Sequence, residues 1–209
     1  MTAFAHRLAR SDDIPAISLL MARAIGQLQA AFLSPEQVAA SAESMGLDTQ
    51  LIDDGTYFAI LDDGVLVGCG GWSRRATLYG GNQATDLRDD RLLDPAREAA
   101  RIRAMYTDPG YVRRGIGRLI LALCEDAARA EGFTRLELMA TAAGEPLYAA
   151  CGYRVIERAE RLSANGVAVP GGGDGQGAGL ICLPPPNPAR PELVEGPLFP
   201  SGGCAGGTK

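Results

Sequence analysis

The sequence predicts a single α/β (α+β) domain, with β-strands alternating with amphipathic helices. Three observations carry this. A chain of 209 residues, 46% hydrophobic and 22% charged, is long enough to bury one proper core and has the composition of an ordinary folded domain. Two apolar runs, Thr56 to Leu61 and Val65 to Trp72, flank Asp62-Asp63-Gly64, the pattern of a tight hairpin. A strand over 100–107 then passes through a glycine-containing loop into a helix and on to another apolar strand.

The elements follow in order. Residues 4–9 read as a first strand. Ser11-Asp12-Asp13 offers a cap to a helix with Pro15 in its first turn and Ile14, Ile17, Leu20, Met21 and Ala24 on one face. Ser34-Pro35-Glu36 signals the start of a second helix. After the hairpin, residues 76–97 form a long polar connection, either a functional lid or a flexible loop. Ile116, Leu119, Ile120, Leu123, Ala127 and Ala130 recur at helical spacing, and Gly132 stands where the helix should stop. Leu136 to Met139 reads as a buried strand within 134–140, followed by a short helix from Pro146 and a strand over 152–156. Gly171 to Gly175 reads as a turn before a final strand, Leu180 to Leu183. These readings put the domain at 1–183 and leave 184–209 as a Pro- and Gly-rich tail, expected to be disordered.

The segment from Met105 to Arg118 carries most of the chemistry. Its strand end runs through Pro109-Gly110 into Arg113-Arg114-Gly115-Ile116-Gly117-Arg118, where the helix begins. The first turn of a helix has backbone N–H groups without partners and the positive end of the helix dipole, so an anion is stabilised there. Three arginines add full charges in a chain of net charge −5. A Walker A loop is excluded, because the only lysine is Lys209, and a dinucleotide fingerprint lacks its third glycine, since Ile120 stands there. Read alone, the loop is an anion seat or a plain glycine turn.

Downstream, Glu145-Pro146-Leu147-Tyr148-Ala149-Ala150-Cys151-Gly152-Tyr153 sets a tyrosine four residues before a Gly-aromatic pair. Strand, Arg-Arg-Gly-x-Gly, helix, strand, then Leu-Tyr-x-x-x-Gly-Tyr resembles the GNAT superfamily of acyl-CoA-dependent N-acetyltransferases. In element order the resemblance covers roughly 4–183; its motifs lie within 98–156.

The resemblance implies a central mixed, mostly antiparallel sheet splayed between two parallel strands and flanked by helices. It implies acetyl-CoA as co-substrate, its diphosphate on the backbone of Arg113, Arg114, Gly115, Ile116, Gly117 and Arg118 and its pantetheine along Met105, Tyr106 and Thr107. The Met105 N–H would face the thioester as oxyanion donor. Tyr148 matches the family's general acid, which bonds the sulfur and protonates the departing thiolate. Thr141 stands where many members have an anchoring Asn, Val112 where Gln or Arg is common, and Tyr153 where Phe is common. Arg101 occupies the position of the usual general base and cannot serve, which leaves Glu98 as the candidate base. His6, on the first strand, reads as structural; Arg74 and Arg75 read as solvated strand-end charges or contacts to an acidic acceptor.

The implied activity is transfer of an acetyl group from acetyl-CoA to a primary amine of a small molecule or peptide, by direct attack in a ternary complex. Two alternatives stand beside it: a catalytically silent acyl-CoA sensor, and a toxin-type enzyme acting on aminoacyl-tRNA. The acidic balance argues against nucleic acid as a partner. Five cysteines show no paired spacing for zinc or a disulfide framework, and no metal is expected. With no signal-peptide pattern and no apolar run near the ~18 residues of a membrane span, the expected location is cytoplasmic, as monomer or homodimer.

Overall fold

A computed structural model describes residues 4–157, 160–163, 166–170 and 181–182. Its centre is a five-stranded sheet in the order β1-β2-β3-β4-β5, formed by Ala5–Leu8, Tyr57–Asp62, Val65–Ser73, Ala100–Thr107 and Leu136–Leu138. The first four strands are antiparallel to their neighbours, and β4 and β5 are parallel. The sheet is therefore mixed and mostly antiparallel, as the resemblance implies. Two short pairs lie beyond it: β6 (Arg154–Val155) with β9 (Ile181–Cys182), and β7 (Glu160–Leu162) with β8 (Ala168–Pro170). The expected Gly171 to Gly175 turn and the tail from 184 onward lie outside the described residues.

Each face of the sheet carries a helix, and for this reason β2 is apolar from Tyr57 to Leu61 rather than alternating. Phe58 and Ile60 face α4 (Ile116–Ala130), together with Val67, Ile102, Leu136 and Leu138. Tyr57 and Ala59 face α1 (Ile14–Leu28), with Ile17, Leu20, Met21 and Ala24. The hairpin turn is as read: Asp63 and Gly64 both have positive φ, at 47° and 82°, which matches the twist of the flanking strands. α2 (Pro35–Ser41) starts on a full capping box, Ser34 with Gln37. A further one-turn helix, α3 (Gln50–Asp53), is not apparent in the sequence. α4 ends at Gly132 with Phe133 N–H donating to Ala128 O and Gly132 N–H to Arg129 O, a Schellman pair.

Two departures position the cleft described below. Along β4, Cys69 pairs with Tyr106 and Gly71 with Arg103, so Ala104 and Met105 together oppose Gly70. This is a β-bulge; Ala104 sits at φ 50°, and the Tyr57 hydroxyl donates to its carbonyl at 2.7 Å. The bulge resets the alternation, so that Met105 faces α4 while Ala104 and Tyr106 face α1. Second, the 76–97 connection is neither a loose loop nor a free lid. Ala76 and Thr77 donate to Arg91 O and Asp89 O, Gly81 and Asn82 to Ser44 O and Leu47 O, and Gln83 Nε2 to Ala42 O and Met45 O. Backbone groups without a sheet or helix partner are satisfied this way, and the segment becomes a fixed wall.

α4 lies unusually close to β3. A Cβ built on Gly68 would stand 2.4 Å from Ile116 Cγ2, and one on Gly70 2.6 Å from Ile120 Cγ2. Gly68→Ala is therefore expected to destabilise the fold by about 1–3 kcal/mol, because the β-branched Ile116 at the helix start has no room to yield. Urea denaturation measures this, and an unchanged midpoint would show that the helix start is not held by that contact.

Candidate active site

β4 and β5 pair only over Ala100–Ile102 and Leu136–Leu138, after which the two parallel strands part. Into the gap opens a cleft of about 690 Å³. One half is lined by Met105, Thr107, the start of α4, Met139, Thr141 and α5 (Glu145–Ala150). The other is lined by the end of α1, residues 40–46, the wall residues Leu78 to Gly80, and Arg103 and Tyr106 on the floor.

The helix start has the local geometry that the anion expectation requires. Asp108 accepts from Gly110 N–H at 2.8 Å through Oδ1 and pairs with Arg23 of α1 through Oδ2. Beyond the turn at Pro109–Tyr111, Arg113 has φ 64° and Gly115 φ 90°. Left-handed residues curl the backbone so that successive N–H groups converge, and the non-glycine Arg113 holds that shape at a cost of roughly 1–2 kcal/mol. The first helical bond is Leu119 N–H to Gly115 O, and the N–H groups before it lie on the cleft side, where Gly115, Ile116 and Gly117 all line the opening. Arg113 and Arg118 line it too.

Arg114 does not. Its guanidinium lies 5.1 Å from the Phe4 ring centre and 4.6 Å from that of Tyr111, and it pairs with Asp62 at 3.3 Å. Cation–π contact with two rings and a carboxylate draw it to the outer side of the turn. Of the three arginines expected at the diphosphate, the fold brings two to the cleft.

Tyr148 is buried on α5, with its hydroxyl 3.8 Å from Met105 Sδ across the gap. Burial above all, with Cys124 and Cys151 nearby, pushes its phenol upward, so it stays protonated and remains a hydrogen-bond donor. Thr141 lines the same side, and its hydroxyl accepts from Gly144 N–H at 3.3 Å, just before α5. The Tyr-for-Phe change at 153 has a partner: the buried Tyr153 hydroxyl donates to Glu125 Oε1 at 3.1 Å.

Glu98 requires a correction. It does not line the cleft. Arg91 grips both its oxygens, at 2.9 and 3.0 Å, and Asp94 N–H donates to it at 2.9 Å, which holds its carboxyl down at about 2. A carboxylate so stabilised in its charged form is a poor proton acceptor. Arg101 pairs with Glu137 on the neighbouring strand. Arg75 grips Asp54 at 2.7 and 2.8 Å; Arg74 pairs with Glu131 and stacks 5.4 Å from the Trp72 ring. None of the three lines the cleft, and His6 is exposed on β1.

The sequence model of the Acetyltransferase (GNAT) family matches residues 24–153, which takes in the anion seat, the parting strands and Tyr148. The chain belongs to the GNAT family. Solved structures share the fold. A GCN5-related N-acetyltransferase from Rhodopseudomonas palustris aligns at TM-score 0.61 with 21% identity, over 87% of this chain and 96% of that one. The PaiA N-acetyltransferase from Thermoplasma acidophilum, solved with coenzyme A, aligns at 0.54 with 11% identity, over 87% and 98%. YncA from Salmonella typhimurium, solved with its cofactor acetyl-CoA, aligns at 0.53 with 18% identity, over 92% and 99%. Among curated protein sequences none matches this chain. Among the described residues no group of three or more His, Cys, Asp or Glu side chains is placed to hold a metal ion, and no helix is long and apolar enough to cross a membrane.

Within this GNAT cleft, sequence reasoning missed the bulge, the Leu78 to Gly80 wall and Arg103. The last left no clear signal, because Arg101 and Arg103 alternate with Ile102 and read together as one polar face of β4.

Two outcomes follow. Glu98→Gln is expected to leave acetyl transfer within about 2-fold of wild type. Because folding lowers the Glu98 pKa from 4.5 to about 2, the Arg91–Glu98 pair stabilises the fold above pH 4.5 and loses that contribution as pH falls toward 2. The variant should differ from wild type in denaturation at pH 7 and converge with it at the acid end. Separately, Arg113→Glu or Arg118→Glu should weaken coenzyme A binding roughly 10-fold or more in calorimetry, and Arg114→Glu much less.

Proposed function

We propose that this chain is an N-acetyltransferase that moves an acetyl group from acetyl-CoA to a primary amine of a small molecule or peptide, within a ternary complex. The observation that supports it most is the cleft itself: a helix start with two arginines, an unpaired stretch of strand and a protonated phenol line one continuous opening.

The residues present fit coenzyme A on their own chemistry. The left-handed turn at Arg113 and Gly115 offers converging N–H groups to a diphosphate, with Arg113 and Arg118 beside it. Beyond Ile102 the outer edge of β4 has no strand partner among the described residues, so its amides are available to the amides of a pantetheine arm. Acetyl-CoA, when bound, supplies an already activated thioester. The chain then has three tasks: to hold an amine against that carbonyl, to donate a hydrogen bond to the developing oxyanion, and to return a proton to the thiolate. Met105 N–H at the bulge is assigned the second task and the Tyr148 hydroxyl the third.

The amine proton needs another route. Glu43 is the one carboxylate among the described cleft-lining residues, and it lies in the acceptor half. With Glu98 tied to Arg91, a water in the acceptor half of the cleft is the proposed first carrier.

The test combines binding and turnover. Saturable acetyl-CoA binding and amine-dependent thiol release across an amine panel are expected. Tyr148→Phe should lower kcat roughly 10²-fold while leaving the coenzyme A Kd within about 2-fold. Unchanged turnover would remove Tyr148 as the acid, and absent coenzyme A binding would sink the transferase reading.

A further inference from the structure

Arg103 is the most unusual charged group in the molecule. It is 4% exposed, yet it lines the cleft. Strand alternation puts it there: Ile102 faces α4, and the next residue, just before the bulge, turns toward α1, where residues 40–48 and the wall close over the sheet. A buried guanidinium normally spends its five N–H donors on partners. Here Nη2 donates to Gly80 O and stands 2.9 Å from Asp48 Oδ2. That pair attracts by charge without hydrogen-bond alignment, since Asp48 Oδ2 accepts no hydrogen bond. Nε and Nη1 make no hydrogen bond among the described residues, and the side chain lines the cleft.

The charges around it do not balance. Asp48 is fully buried and shared: Arg88 also reaches it, at 3.1 Å, and donates to Gln50 Oε1. Two guanidinium groups thus face one buried carboxylate; Asp90, exposed, stands 3.8 Å from Arg88, and Glu43 lines the same half of the cleft. A surplus positive charge in a desolvated site is costly unless an anion joins it. Tyr106, on the same face, accepts from Gly46 N–H at 3.2 Å, which leaves its own hydroxyl hydrogen to give. Arg103 and Tyr106 together present a planar fork and one O–H donor on the floor of the acceptor half. That is a receptor for a carboxylate.

We infer that the acceptor is an amine that carries a carboxylate, with the carboxylate seated on Arg103 and the Tyr106 hydroxyl while the amine reaches toward Met105. Asp48 and Gly80 act as positioning groups: they fix one corner of the guanidinium and leave the other edge toward the cleft. This rests on the transferase reading, and it narrows primary amines to amino acids, or to peptides whose acidic group lies near the amine.

The test uses the full chain saturated with coenzyme A. Calorimetry compares α-, β- and γ-amino acids with the amides of the same skeletons, and thiol release from acetyl-CoA compares their kcat/KM. At least one acid is expected to bind, and to react, roughly 10- to 100-fold better than its amide, the range for a hydrogen-bonded charge pair. Arg103→Met should level that pair to within about 3-fold with the coenzyme A Kd unchanged. If the variant does not fold, the acid–amide comparison on wild type decides alone. Amides that match their acids throughout, or acids that fail to bind at millimolar concentration, overturn the carboxylate seat. Failure to bind coenzyme A in the first place overturns the transferase reading instead.

Discussion

The parting of β4 from β5 after Ile102 is the constraint on which the rest of the site depends. Sheet strands normally stay paired because each backbone N–H and C=O needs a partner, and an unpaired edge inside a protein is unfavourable. Here the parallel ladder covers three residues on each strand and stops. The bulge at Ala104 and Met105 redirects β4 at the point where the partner is lost, and Tyr57 pins the bulge through Ala104 O. Tyr148 and Thr141 reach the gap because α5 follows the strand that diverges, and the anion seat reaches it because α4 follows the strand that does not.

Asp108 joins these parts. Its N–H donates to Val67 O of β3, its Oδ1 shapes the turn into the anion seat, and its Oδ2 pairs with Arg23 of α1. One short side chain thus refers the loop, the sheet and the helix on the opposite face to a common point. The pair with Arg23 is half exposed on the arginine side, so its contribution is geometric more than energetic.

Much of the fold was legible because its signals are local. The Asp-Gly turn, the capping residues before α1 and α2, the spacing along α4 and Gly132 all act within a few residues. That the helix start at Arg113 to Arg118 and Tyr148 would meet was legible because their order along the chain is distinctive, and both line one cleft. What escaped is decided by residues far apart in sequence. Nothing local distinguishes Arg113 from Arg114; Phe4 and Asp62 draw the second away from the cleft. Glu98 was the candidate base left once Arg101 fell at the usual position, and Arg91, seven residues earlier, folds back onto it. The bulge is silent in sequence because its positive φ falls on Ala104 rather than on a glycine. The 76–97 connection reads as loose because its bonds run to the backbone of residues 42–47, and backbone acceptors leave no mark on composition.

The two halves of the cleft are held by different means. The half proposed for the donor rests on side-chain packing so close that β3 has no room for a Cβ beneath α4, whereas the wall of the other half hangs on hydrogen bonds, from the main chain of Gly81 and Asn82 and from the side chains of Asn82, Gln83 and Arg88. Packing ties a region to particular amino acids; main-chain bonds tie it to a path and leave most side chains free to vary. On the proposed reading, Leu78 or Tyr79, which line the cleft, can be exchanged to suit a different acceptor without disturbing the helix start opposite. The wall is the replaceable jaw of a tool whose handle is fixed.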